Sequence, residues 1–565
     1  MTISETVEVE SKFEVDPDTP IPTADAFAPL VADEPVVHDL SATYYDTVDL
    51  ALTRHKVTLR RRTGGDDAGW HLKLPSEAGR VELQAPLDHG EDDRGGVPAE
   101  FVDAVAGLVR RRPLAPVARV DNRRHVMVLR EPDGTAVVEF CDDHVSTESF
   151  APDPAGAVRE WREWEAELVD PSRPGAPGHL ATVAAACTAA GATTSSSSSK
   201  LARALGPLPG PADKGVSAVK DALREDLHRV LDHDPAARRV TMVGVHQMRV
   251  AVRGLRSTIS SFAKELEADT AHADLDLAAL LEELKVLAAV LGKVRDIQVV
   301  DERLGALAAG YPEDVVSPQT RQRLRTELAA EERRAGVRVT AALGSDRYLD
   351  LLDRLHLLVE IAGTDPDPGG QRDGTPEGAT PAPAKEKRRE TEDMVLRGVD
   401  RQFAKFTKAR TRTERDLEAL DLTLAQREEL THVVRKRAKA LRRNVGALRE
   451  SDGLSVAPLR TACQRLHTVL GDVQDSVTAR MWIRRIAKRA ESAGESTFGF
   501  GVLFEHERGS SERALAGFEN DAATVTAAYR ELSESRRAAR RRRGKKHSGG
   551  SSGKNRGGKR SGAKR

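Results

Sequence analysis

The sequence predicts an α+β multidomain protein in which an antiparallel β-domain precedes an all-α domain and a basic tail. Three observations carry that prediction. Apolar and charged residues alternate with period two from residue 7 to about 170. Past a Pro/Gly-rich break, "GPLPGPADKG" (206–215), the period becomes 3.6, and Ala, Leu, Arg and Glu replace the strand formers. Residues 536–565 are dominated by Arg, Lys, Gly and Ser, which reads as a disordered tail. The breaks divide the 565 residues into a β-domain over 1–204, a linker over 205–215, a helical domain over 216–535 and the tail. Within the helical domain, residues 363–390 are too polar and too rich in Gly and Pro to fold, and are expected as a disordered insertion.

With 39% hydrophobic and 31% charged residues and a net charge of −1, the chain has a globular composition that excludes wholesale disorder. The neutral total hides a gradient. Residues 1–200 hold 20 Lys and Arg against 35 Asp and Glu, whereas residues 532–565 hold 14 basic residues and one acid. Cys141, Cys187 and Cys463 are far apart and lack metal-ligand spacing, which points to a reducing compartment. Neither a leader pattern nor a run of about 18 apolar residues is present, so a cytoplasmic protein without a membrane partner is expected.

Each predicted strand keeps its charges on one face. The first, "VEVESKFEV" (7–15), sets Glu8, Glu10 and Lys12 opposite Val7, Val9, Phe13 and Val15. The later sets are Arg60 and Arg62; His71 and Lys73; Arg80 and Glu82; Arg119, Asp121 and Arg123; Glu139 and Asp143; and Glu163, Glu165 and Glu167. A sheet or a barrel accommodates the pattern, but polar faces that combine dense acids with dense bases favour a barrel with a charged interior. Crowded carboxylates repel, and a hard divalent cation with oxygen ligands removes that cost. Basic residues from other strands then hold phosphate. A low-complexity run, "TTSSSSSK" (193–200), leads to the linker.

The helical domain contains a repeat. "VHQMRVAVRGLRSTISSF" (245–262) superposes on "THVVRKRAKALRRNVGAL" (431–448), and "VLGKVRDIQV" (290–299) on "VLGDVQDSVT" (469–478). His246, Arg249, Arg253 and Arg256 fall on His432, Arg435, Lys439 and Arg442. Spacing of i, i+3, i+7 and i+10 stacks each set into a cationic stripe beside an apolar one, suited to a polyanion. No aromatic residues interleave the stripes, which disfavours single-stranded nucleic acid. No Walker P-loop, dinucleotide glycine motif or HExxH occurs.

The helical motifs resemble the CHAD domain, over about residues 210–535. The resemblance implies two pseudo-symmetric helical bundles that bind inorganic polyphosphate, with His246, Arg249, Arg253, Arg256, His432, Arg435, Lys439 and Arg442 lining the anion channel and Lys285, Lys293 and Arg295 as additions. Gln474 stands where Arg295 stands in the first copy, and Asp296 and Asp475 are expected to cap or pair with basic neighbours.

"EVESK", followed by "YYDT" (44–47), "LRRR" (59–62), "HLKLP" (71–75) and "EWEAEL" (163–168), resembles the CYTH family of triphosphate tunnel metalloenzymes, over about residues 5–200. That resemblance implies an eight-stranded tunnel dependent on Mg2+ or Mn2+. Lys12, Glu8 and Glu10 are implied as catalytic. Glu8, Glu10, Asp143 (or Asp142), Glu163, Glu165 and Glu167 are implied as the source of metal ligands. Lys12, Arg60, Arg62, Lys73, Arg80, Arg119 and Arg123 are implied to hold phosphates. The expected function is an inorganic triphosphatase acting on tripolyphosphate or polyphosphate, associated with polyphosphate granules. The alternatives are a class IV-type adenylate cyclase, a thiamine triphosphatase and a non-catalytic polyphosphate-binding protein. The basic tail is the one segment expected to meet nucleic acid.

Overall fold

A computed structural model describes residues 3–77, 79–88, 96–150, 157–197, 199–208, 210, 217–270, 273, 275–362, 384–419, 421–446 and 456–548. Of the expected linker, residues 209 and 211–215 lie outside these, as do residue 216 at the start of the expected helical domain, residues 363–383 of the insertion and 549–565 of the tail.

The β-domain is one curled antiparallel sheet of eleven strands. They are β1 (Ser4–Glu8), β2 (Glu10–Val15), β3 (Val31–Ala32), β4 (Val36–Asp46), β5 (Thr58–Thr63), β6 (Gly69–Ser76), β7 (Gly79–Ala85), β8 (Ala115–Arg130), β9 (Ala136–Ser149), β10 (Val158–Leu168) and β11 (Thr193–Thr194). The order is β1-β7-β6-β5-β4-β8-β9-β10-β2-β11, with β3 on β8. Val9 alone separates β1 from β2, yet β1 pairs with β7 and β2 with β10, at opposite ends of that order. One short segment thus joins the two ends of the curl. Eleven strands replace the expected eight because the first strand is broken at Val9 and because β3 and β11 are two-residue additions.

Alternation decides what each face buries. Phe13, Phe140, Trp164, Ala166 and Leu168 cluster with Phe27, Leu30 and, from the helix Ala176–Ala189, Val183 and Cys187. Fully burying one such side chain is worth about 1.5–3 kcal/mol, so this outer layer keeps the polar face turned inward. Val7 departs from the expected outer row, being 40% exposed.

Compact packing divides the chain into two units, Met1–Asp296 with Glu332–Gly369, and Ile297–Glu331 with Gly370–Arg565. The first unit joins the β-domain to the first helical bundle. Gly107 packs on Asp234 so tightly that an added Cβ would fall 2.4 Å from the carboxylate. Asp234, fully buried, accepts hydrogen bonds from Tyr348 Oη (2.7 Å) and Arg238 Nε (2.6 Å). Arg111 meets Asp350 and Asp353 at 2.8 Å on a surface exposed enough that such pairs add little.

In the second unit, Val434, Leu441, Leu466, Phe406 and Phe518 form the core among the helices Ala384–Ala419, Leu424–Gly446, Ala457–Ser492 and Phe518–Ser548. Two helices correct the sequence reading. Ala384–Ala419 begins inside the expected insertion, and Phe518–Ser548 continues through residues 536–548 of the expected tail. "AKEKRRE" and "RRAARRRR" are polar but strong in helix propensity, so polarity alone misjudged them. Among the described residues no helix is long and apolar enough to cross a membrane.

Candidate active site and anion-binding helices

The inner face of the sheet surrounds a cavity of about 310 Å³. Glu8, Glu10, Asp67, Glu82, Glu139, Glu165 and Glu167 line it, opposed by Lys12, Arg60, Arg62, Lys73, Arg80, Arg124 and Lys200. Seven acids face seven bases. Tyr44 is the one aromatic ring among the described lining residues.

Ion pairs connect this lining. Lys73 Nζ lies 2.8 and 2.6 Å from the Glu8 oxygens, and Lys12 Nζ lies 2.9 Å from Glu10 and also bonds Glu165. Arg124 donates to both oxygens of Asp143 at 2.7 Å and reaches Glu165 as well. Lys200, at the start of the helix Lys200–Leu205, sets its ammonium 2.9 Å from Asp143, 2.6 Å from Glu163 and 2.7 Å from Glu165. Ser199 caps that helix through the Ala202 N–H, while Leu201, Ala204 and Leu205 anchor it among Ala42, Tyr44 and Val120.

Parity on β10 is as expected: Glu163 is buried beside Lys200, and Glu165 and Glu167 line the cavity. On β9 the choice falls on Asp143. Asp142 points the other way, accepting from Arg162 at 2.7 and 3.1 Å and from Trp164 Nε1 at 3.0 Å. On β8 the expectation fails. Arg119 and Arg123 are exposed, Arg119 pairing at 3.1 Å with Asp121, while Val120, Asn122 and Arg124 face inward. Charges occupy both parities of "ARVDNRRHV", so only register decides, and Arg124 stands opposite Asp143. Arg124 and Lys200 are the site residues that sequence reasoning missed. Lys200 closes a serine run whose low complexity masked it, although Ser199 before a short amphipathic stretch was a helix-start signal.

The helical rows lie where periodicity placed them. In the first unit, on the helix Met242–Ser261, Met248, Val252, Leu255 and Ile259 are buried, His246, Arg249 and Arg256 are half-buried and Arg253 is exposed. Arg249 lies 3.8 Å from Asp296, as a pairing role for that aspartate requires. Gly292 lies beside the Arg249 guanidinium, where a Cβ would make an ordinary contact at 3.5 Å from its Nε. Arg295 is half-buried, whereas Lys293 and Lys285 are exposed and Lys285 is held 2.9 Å from Glu282, one turn away. In the second unit His432, Arg435, Lys439 and Arg442 are all half-buried on the helix Leu424–Gly446. His432 Nδ1, Arg435 Nε, Arg442 Nε and, from the next helix, His467 Nε2 are buried there without a hydrogen-bond partner. His467 is a further residue that the sequence reading passed over.

The CYTH domain family matches residues 6–164, and the CHAD domain family matches residues 221–484. The chain belongs to the CYTH–CHAD proteins. An uncharacterized protein of Mycobacterium tuberculosis is 34% identical over 549 residues, spanning 94% of this chain and 98% of its own length. Among solved structures, PptA from Streptomyces chartreusis is 18% identical, covering 54% of this chain and 97% of its own, with a TM-score of 0.36. The CHAD domain of the plant Ricinus communis is 20% identical, covering 55% and 90%, with a TM-score of 0.32. CYTH domains are triphosphate tunnel metalloenzymes and generally depend on a divalent metal.

Burial and pairing push the cavity groups in opposite directions: the basic neighbours hold Glu10, Glu82 and Glu165 low, while burial dominates at Glu8 and Glu167. Burial pushes the Glu8 carboxyl up to about 7 against the pull of Lys73, and burial also raises Glu167. Burial would raise Glu10 too, but Lys12 beside it brings it below the ordinary value. Burial would lower Lys12, yet Glu165 and Glu10 outweigh it, so Lys12 is a firmly charged donor. On the basic side, burial beside Arg60 and Arg124 brings Arg62 down to about 9, and Arg60 Nε and Arg62 Nε lack hydrogen-bond partners. An anion would satisfy those donors.

The acid cluster suits a hard cation. One oxygen each from Asp143, Glu163 and Glu165 lies within 4.8 Å of the others, and every donor is a carboxylate. Lys200 already bridges all three, so a cation entering there competes with its ammonium.

Proposed function

We propose that this protein hydrolyses inorganic triphosphate or short polyphosphate in its CYTH domain and binds longer polyphosphate on its CHAD helices. The observation that carries the reading is the cavity in which carboxylates and unsatisfied arginine donors face each other with almost no aromatic surface. A nucleotide or thiamine derivative needs a stacking or apolar wall. A bare phosphate chain needs only the charges.

Arg60, Arg62, Lys73, Arg80 and Arg124 bind and orient the phosphate oxygens, Arg124 from the edge of the acid cluster. Lys12, held charged by Glu165 and Glu10, donates to the chain and neutralises its terminal charge. Glu8, Glu10, Asp143, Glu163, Glu165 and Glu167 are the ligands available to Mg2+ or Mn2+. When bound, that ion supplies Lewis-acid polarisation of a phosphoryl oxygen. Glu8, Arg62, Glu82 and Glu165 are buried, and the low dielectric around them strengthens their contacts. Two cationic rows on a tethered CHAD domain raise the local concentration of polyphosphate at the cavity.

The test offers tripolyphosphate, ATP and thiamine triphosphate to the purified chain with Mg2+ or Mn2+, beside a Glu8→Ala/Glu10→Ala variant. Orthophosphate release from tripolyphosphate, abolished in the variant, supports the proposal. Cyclic AMP from ATP, or polyphosphate binding with no turnover of any substrate, overturns it.

A further inference from the structure

A second group of ligating side chains lies away from the cavity, where the CYTH domain meets the first helical bundle. His55 follows the short CYTH helix Ala51–Arg54. His228 and Asp232 stand at i and i+4 on the helix Ala218–Asp232, and therefore on one face. His55 Nδ1 lies 2.7 Å from Asp232 Oδ1, His228 Nδ1 lies 2.9 Å from Asp232 Oδ2, and the two ring centroids are 4.3 Å apart. One ligand atom from each of the three residues lies within 4.8 Å of the other two.

We propose that His55, His228 and Asp232 form a transition-metal site, taking Zn2+ or a similar borderline ion, that clamps the CYTH domain to the first CHAD bundle. The donor set differs in kind from that of the cavity. Two imidazoles and a carboxylate suit a borderline ion, whereas Mg2+ prefers oxygen donors. With bonds of about 2.0–2.1 Å, tetrahedral ligand atoms stand roughly 3.3 Å apart. With Oδ1 as the Asp232 ligand, the present 2.7 Å contact to His55 Nδ1 must therefore open by about half an ångström, and the 2.9 Å bond of His228 Nδ1 to Oδ2 must give way as that ring turns to the ion. The side chains that must move are free to do so: His228 is 50% and Asp232 37% exposed, while His55, at 9%, is held in place. Solvent reaches the exposed side of the group and supplies the fourth ligand. Both rings bind as neutral imidazoles through Nδ1, with the hydrogen carried on Nε2. Lys56 lies near enough to oppose the ion electrostatically, and the Asp232 carboxylate offsets it.

The clamp holds more than a surface loop. Lys56, directly after His55, adopts a left-handed φ of 59°, and its carbonyl accepts a hydrogen bond from cavity residue Arg80 at 2.8 Å. Strand β5, with Arg60 and Arg62, begins two residues later. An ion on His55 therefore fixes the turn that supports part of the basic wall. The site does not depend on the triphosphatase reading.

Chelator-treated full-length protein, titrated with Zn2+ by calorimetry while excess Mg2+ occupies the cavity carboxylates, tests the proposal. About one equivalent of Zn2+ is expected to bind, and Co2+ in its place is expected to give the visible absorption of a low-coordinate N/O site. His228→Ala and Asp232→Asn, both at solvent-exposed positions, should weaken Zn2+ at least about tenfold. Glu8→Gln/Glu10→Gln should leave Zn2+ binding intact, because the site is separate from the cavity. Circular dichroism confirms that the variants fold. Zn2+ that binds wild type and both seam variants equally, or fails to bind wild type, overturns the proposal and leaves the three residues as a hydrogen-bonded latch.

Discussion

Arg124 on β8 and Asp143 on β9 stand directly opposite each other, and the guanidinium grips both carboxylate oxygens at 2.7 Å. Asp143 is fully buried, and Arg124 also bonds Glu165. This pair orders the acid side of the cavity and turns the adjacent Arg123 outward.

Removing Arg124 therefore leaves two buried carboxylates short of a partner. Because Lys200 and Lys12 still pair with those carboxylates, Arg124→Ala should destabilise the β-domain by about 1.5–3 kcal/mol, the usual worth of hydrogen bonds to a charged group, and abolish turnover. Arg123→Ala should change neither. Denaturant unfolding and orthophosphate release check both, and equal effects of the two variants would refute the assigned face of β8.

Lys200 bridges Asp143, Glu163 and Glu165, which makes it a built-in counter-ion. Lys200→Met should lower the melting temperature of metal-free protein, and Mg2+ should restore stability more in the variant than in wild type. Differential scanning fluorimetry across a Mg2+ series reads this directly. A variant insensitive to Mg2+ would show that the three carboxylates do not bind the ion.

With Glu8 among the proposed metal ligands, its raised carboxyl predicts pH-dependent metal binding. Its folded value of about 7 lies above the ordinary 4.5, so the folded state binds more protons than the unfolded state between those values. Stability from this group is present below about pH 4.5 and is lost as pH rises through about 7. A divalent cation must displace the proton, so affinity should rise from pH 6 to 8 with proton release, measurable by calorimetry in buffers of different ionisation enthalpy. Glu8→Gln should remove that dependence.

In the second helical unit, burial and then Arg442, Arg435 and Lys439 push His467 down to about 4, and burial with Lys436 and Arg435 also lowers His432. Both rings are therefore neutral near pH 7 until an anion offsets the cationic row. Polyphosphate should bind more tightly at pH 5.5 than at 7.5 and more weakly as salt increases, because phosphate contacts release counterions. His467→Ala should flatten the pH dependence, and filter binding with labelled polyphosphate measures each effect.

Much of this architecture was legible residue by residue. Period two in "VEVESKFEV" and "EWREWEAEL" turned Glu8, Glu10, Lys12, Glu165 and Glu167 to one face, because outward Phe13 and Trp164 had to be buried. The 3.6 period beside Met248, Val252 and Leu255 likewise placed both His–Arg rows. Where the pattern was ambiguous, it failed. "ARVDNRRHV" carries charge on both parities, and "AKEKRRE" and "RRAARRRR" are polar yet helical.

By itself, then, the sequence determined which residues share a face, because hydrophobic burial acts strand by strand and helix by helix. Tertiary structure alone decided which faces meet. Arg124 was selected over Arg123 by register with Asp143 across β9, Lys200 entered the acid cluster from a helix 32 residues beyond β10, and His55 reached His228 and Asp232 across more than 170 residues. Those contacts depend on strand pairing and domain docking, which are properties of the folded chain and leave no periodic signal in the residues that make them.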